Sequence, residues 1–113
     1  MTADRRPSLL DFLRAIQLRP GMYTGAAAGD FGAHFDRLEM LISGYQQAVM
    51  VHGVQDVGVD LYAEFAAYLE NRFGWNLRES AIRKIRRESP SDEVAWDTFW
   101  RLLWELRDSR GAG

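Results

Sequence analysis

Residues 31–52 read FGAHFDRLEMLISGYQQAVMVH, and their spacing decides the fold class. Phe31, Phe35, Leu38, Ile42, Tyr45 and Val49 advance by four, three, four, three and four residues, which places all six in one helical stripe with Leu41 beside it. The stretch predicts a central core helix over about 31–52. Gly53 is expected to close it as a C′ glycine, and His52 stands in the last turn, where the helix dipole favours a protonated imidazole. Gly44 costs about 1 kcal/mol against Ala inside a helix, so close packing against another backbone is its expected use.

Working outward, Ser8 followed by Asp11 has the spacing of a capping box, and Leu9, Phe12, Leu13 and Ile16 recur at helical intervals, giving a helix over about 9–18. Arg19 precedes a proline and is biased away from the α region; Pro20-Gly21 is expected to make a sharp stop. A loop of small residues then runs from Thr24 to Gly32. On the other side, 56–60 reads as a connection and Asp60 to Arg72 as a third helix, with Leu61, Phe65, Tyr68, Leu69 and Phe73 as its buried face. Phe73-Gly74-Trp75 ends it. Leu77 to Glu88 carries a narrow apolar stripe and stops at Ser89-Pro90. Ser91 is the expected N-cap of the last helix, with Asp92 and Glu93 in its first turn. The apolar residues of that helix, from Trp96 to Leu106, span an arc of about 200°, wider than one core contact needs. The sequence therefore predicts an all-α, compact bundle of about five helices forming a single domain over 1–113.

Composition agrees with one small core. The chain has 113 residues, 47% hydrophobic and 12% aromatic, with a net charge of -2. Such a balance points to no strongly charged partner. Cysteine is absent, which excludes disulfides, thiolate catalysis and cysteine metal sites. The first residues lack the apolar run of a secretory signal, and the longest uncharged run, between Glu39 and Asp56, is too polar for a bilayer. A cytoplasmic protein without membrane contact is the expectation.

Convergent chemistry is missing. His34 and His52 are five turns apart on one helix and are read as structural or surface residues. No serine lies in a nucleophile elbow. Asp56, Asp60 and Glu64 step by four, but acids at a helix start are expected for dipole reasons alone. Neither metal nor cofactor is expected, nor is catalysis. The only concentrated charge is Arg83-Lys84-Ile85-Arg86-Arg87, read first as a solvated face paired with Glu79 and Glu88. The alternative is a nucleic-acid-binding accessory module using Arg83, Lys84, Arg86 and Arg87, although such domains usually carry a larger basic surplus.

One signature is sharper. Residues 19–25, Arg-Pro-Gly-Met-Tyr-Thr-Gly, resemble the RPGMYxG segment near the start of the ATPase domain of the DNA gyrase B family. That resemblance would make Glu39, fourteen residues past Gly25, the catalytic glutamate, but Ser43 stands where the family has its magnesium-holding Asn. No DxGxG motif or glycine-rich lid follows, so ATP hydrolysis is not expected. A resemblance to a group of small bacterial proteins covers more of the chain. It rests on the same motif, Gly44-Tyr45, Arg72-Phe73-Gly74-Trp75, and Ser91-Asp92-Glu93-Val94-Ala95-Trp96 leading to Phe99 and Trp100; Trp96 and Trp100 replace the usual phenylalanines. Some of that group resemble immunity proteins of bacterial toxin systems.

What this implies is a non-enzymatic protein-binding domain, most simply an immunity-type protein that neutralises a cognate toxin. The expected partner surface is the edge of the last helix, with Trp104 as anchor beside Asp97, Glu105 and Asp108, and with Asp60 and Glu64 added if the target is basic. A homodimer through the tryptophan helix is the competing assembly. In the motif, Arg19, Pro20, Gly21, Met22, Tyr23 and Gly25 form either a structural turn or a binding site. As a turn, Gly21 would supply positive φ, Met22 and Tyr23 would point inward, and Arg19 would reach a helix end.

Overall fold

Helix formation at 31–52 is as the spacing demands, but its burial is uneven. A computed structural model describes residues 8–53, 56–76 and 80–112, and in it Phe31–His52 is a single helix of 22 residues. Six helices follow one another: α1 (Leu9–Leu18), α2 (Pro20–Thr24), α3 (Phe31–His52), α4 (Val57–Phe73), α5 (Ala81–Glu88) and α6 (Asp92–Ala112). Among the described residues there is no strand, so the all-α bundle holds. The buried side chains form one cluster to which α1, α3, α4, α5 and α6 all contribute.

The extra helix is α2. Proline is tolerated at a first helical position because its missing N–H would have no partner there, and Pro20 starts α2 in that way. Gly25, at φ 75°, ends it by donating its N–H to the Gly21 carbonyl at 3.0 Å. The expected sharp stop is thus one turn of helix folded back on α1.

One expected boundary shifts, and a single carboxylate is the reason. Asp56 is the N-cap of α4: its carboxylate accepts the amides of Gly58 at 2.8 Å and Val59 at 3.1 Å, so the helix starts at Val57 rather than Asp60. The same carboxylate accepts the Leu9 amide at 3.2 Å and the Tyr45 hydroxyl at 2.9 Å. Burial, then the bond to Asp56, raises the pKa of Tyr45 above its ordinary value. One acid therefore ties the starts of α1 and α4 to the middle of α3. Their contact is close: a Cβ on Gly58 would come within 2.6 Å of the Leu10 nitrogen. At α1 itself, the Ser8–Asp11 capping box forms in both directions. At the other end of the chain, Ser91 accepts the Val94 amide as the cap of α6. Leu77 lies outside the described residues, which show this helix from Ala81.

The axis of the bundle is α6, not α3. In α3 only His34, Phe35, Leu38 and Ile42 are buried, none of them beyond Ile42. In α6, Ala95, Trp96, Phe99, Trp100, Leu102, Leu103, Trp104 and Leu106 are all buried. The 200° arc is wide because α3, α4 and α5 pack around it and α1 reaches its far side. Full burial of a large apolar side chain contributes about 1.5–3 kcal/mol, so this helix carries much of the stability. Gly44 does not pack against another backbone; a Cβ there would meet nothing within 4 Å.

Candidate functional site

The expected anchor is not on the surface. Trp104 is 8% exposed, its Nε1–H donates to Gln17 Oε1 at 2.7 Å, and the guanidinium groups of Arg14 and Arg107 lie over its ring, 4.2 and 4.7 Å from the centroid. Arg14 also donates to Gln17 Oε1 at 3.2 Å. Angle along α6 placed Trp104 at the rim of the arc; Arg14 and Gln17 of α1 reach across to that rim and help cover it. Trp96 and Trp100 are buried as well, so all three indoles of α6 are covered. The Trp100 indole N–H is buried with no hydrogen-bond partner among the described residues.

The acids expected beside Trp104 are divided between other contacts. Asp97 is exposed on the outer face of α6, Glu105 meets Arg72 of α4 at 3.5 Å, and Asp108 accepts from its neighbour Arg107 at 3.0 Å. Asp60 is exposed in the first turn of α4 and Glu64 is half-buried one turn later. No group of three or more His, Asp or Glu side chains suited to a metal occurs among the described residues.

The motif at 19–25 is built around a residue the sequence reading passed over. Thr24 is buried, and its hydroxyl bonds His34 Nδ1 at 2.7 Å while accepting the Ala26 amide at 3.2 Å. The other ring nitrogen, Nε2, faces the Ala28 carbonyl at 3.3 Å, which fits a neutral imidazole accepting at Nδ1 and donating at Nε2. His34 packs against Phe31 and Trp96, so the motif is clamped to α3 and, through α3, to α6. The inward pair is reversed: Met22 is 71% exposed and Tyr23 is exposed with one edge against Phe12. Gly21 is helical rather than at positive φ; Gly25 takes that role. The Arg19 side chain is exposed and makes no hydrogen bond or ion pair with the described residues.

Two of the α5 cations are paired with acids. Arg86 forms a two-pronged pair with Asp92 at 3.0 and 3.2 Å, meets Asp36 at 3.2 Å and lies over the Phe35 ring. The Asp92 bond is the main reason its pKa is raised. Lys84 meets Glu88 at 3.5 Å, the helical pairing the sequence suggested. Arg83 is exposed at a broad cleft of about 590 Å³ on the outer side of α3, where Asp36, Glu39, Ser43 and Gly44 also stand. Glu39, the glutamate of the ATPase resemblance, accepts from Ser80 at 3.1 Å, and its charge adds to burial in raising the Tyr62 pKa.

A different aromatic edge is open. Gly74, at φ 71°, closes α4 and turns the chain so that Phe73 and Trp75 stack, 4.6 Å between centroids and 22° between planes. Arg72 lies over the Phe73 ring and Lys84 over the Trp75 ring. Beside this pair, a pocket of about 220 Å³ lies between the ends of α4 and α5 and the first half of α6, walled by Phe73, Trp75, Pro90, Val94 and Leu102. Arg101 stands at the same pocket, exposed, and forms no ion pair with the described residues; Asp97, one turn earlier, does not touch it. Phe73 and Val94 are each 43% exposed. Sequence reasoning took Phe-Gly-Trp as a helix end and placed Phe73 on the buried face, whereas the ring lies at the rim because α4 ends there. The signal available was that a glycine in the left-handed region between two aromatics brings their rings to one side.

Comparison with protein-family models, with curated proteins and with solved structures finds no match to the chain. No described helix is long and apolar enough to cross a membrane.

Proposed function

We propose that this chain is a non-enzymatic protein-binding domain of the immunity type, which neutralises a bacterial toxin by covering part of its surface. The observation that carries this reading is the open aromatic edge: two stacked rings, an unfilled apolar pocket and Arg101, all held on the end of a closed core. Aromatic and arginine side chains are enriched where protein interfaces concentrate their binding energy, because large rigid surfaces are buried there at little cost in conformational freedom. Asp97 and Glu105, on the same outer face of α6, border the edge and supply polar rim contacts. A standard interface takes about 800 Å² from each partner, a small share of the 7076 Å² that the chain exposes. The pairing of Lys84 and Arg86 with acids weakens the nucleic-acid alternative, since phosphate binding needs cations that are not already paired.

The test is co-expression in a bacterial host of each product encoded beside this chain's gene, with and without the chain. The expected result is one product that arrests growth, relief of that arrest by this chain, and a complex of the two that survives gel filtration. If none of the neighbouring products is toxic, or none binds, the reading falls.

A further inference from the structure

The pocket beside Phe73 and Trp75 has a size, a lining and a charge, and together these describe what fills it. An apolar protein cavity of about 150 Å³ takes up a benzene ring, so 220 Å³ is room for one leucine-sized or aromatic side chain. Its walls offer rings, a proline and aliphatic groups, with Glu88, Ser89, Thr98 and Arg101 among them. The charges around it are otherwise balanced: Arg72 and Lys84 stand over the rings and are paired with Glu105 and Glu88, whereas Arg101, in the pocket wall, forms no ion pair with the described residues. An incoming chain that covers Arg101 removes water from its guanidinium, a loss offset only by a new acceptor. A carboxylate meets that need in two-pronged geometry; a cationic segment would leave Arg101 without an acceptor and place a like charge beside it.

We infer that this pocket is the seat for a single large apolar side chain of a partner protein, carried on an acidic segment whose carboxylate pairs with Arg101. The inference rests on the protein-binding reading above and adds the chemistry of the partner. Phe73 and Val94 close over the side chain from its two sides, with Trp75 stacked on Phe73.

The full chain, labelled with nitrogen-15, is titrated with three N-acetylated, C-amidated peptides: Asp-Glu-Phe-Glu-Asp, the same peptide with alanine for phenylalanine, and the same with lysine for all four acids. The acidic phenylalanine peptide is expected to shift the resonances of Phe73, Trp75, Val94 and Leu102, and to bind about tenfold tighter than either control, the scale of one buried side chain. Arg101→Glu is expected to turn the preference toward the lysine peptide. Val94→Arg, at an exposed position, is expected to abolish binding while the circular dichroism and melting temperature stay as in the parent. Absence of shifts with every peptide, shifts confined to another face, equal binding of the alanine peptide, or an acid preference unmoved by Arg101→Glu would each overturn the assignment. Should a toxin be found that Val94→Arg still neutralises as well as the parent, the pocket assignment falls and the proposed function stands. Binding of the acidic phenylalanine peptide without any toxic neighbour is the reverse outcome.

Discussion

Two aromatic edges flank α6, and they differ in what the neighbouring helix does. At one, side chains of α1 reach Trp104: Gln17 takes its N–H, and two arginines, one of them from α1, lie on its ring. At the other, Phe73 and Trp75 also carry cations on their rings, but nothing described crosses them, and a pocket remains. The chemistry is alike, rings under cations. Coverage is what differs, and coverage is a property of where α1 ends, not of α6. A closed edge contributes to folding; an open one keeps its apolar surface for another molecule.

Substitution can break this contrast. The largest effect is expected from Trp104→Ala, which removes a buried indole and strips Gln17 and both arginines of their partner; a loss of about 3–5 kcal/mol in denaturant unfolding is expected. A loss below that of an ordinary surface change would mean that the edge is not closed. Gly58→Ala comes next. Its Cβ would be forced against Leu10 and Leu9 at the junction of α1 and α4, and overpacking of this kind costs about 1–3 kcal/mol. Because it pushes α1 from its seat, tryptophan emission is expected to move to longer wavelength as Trp104 gains water; unchanged emission would show that α1 is not what seals that side. The smallest stability effect is expected from Phe73→Ala at the open edge, within about 0.5 kcal/mol as for surface positions generally. If it cost as much as Trp104→Ala, the two edges would not differ in the way described.

Much of the architecture was readable from local pattern. The capping box at Ser8, the cap at Ser91, the α3 stripe and the glycine after His52 all follow from groups within one or two turns of each other, and the structure places each where expected. Reading failed where the deciding partner is remote in sequence. Asp56 begins α4 early while also holding Leu9, 47 residues away. Thr24 is buried against His34, ten residues on across a loop of small residues, and the two share a hydrogen bond. The open edge needed Gly74 in the left-handed region and the ends of α5 and α6 brought alongside; only the first of these has a sequence signal.

What the sequence by itself determined is the helical class, the stripe on α3, the caps and the apolar excess of the last helix. These are set by periodicity and by hydrogen bonds to near neighbours, which a single chain segment contains in full. Tertiary structure alone decided which part of that apolar excess is covered. The arc on α6 is continuous in angle, and no residue within it says that α1 will close the Trp104 side while the Phe73 side stays open. Burial depends on which helix arrives at a face, and that is settled by contacts such as Asp56 to Leu9 and Gln17 to Trp104, between residues far apart along the chain.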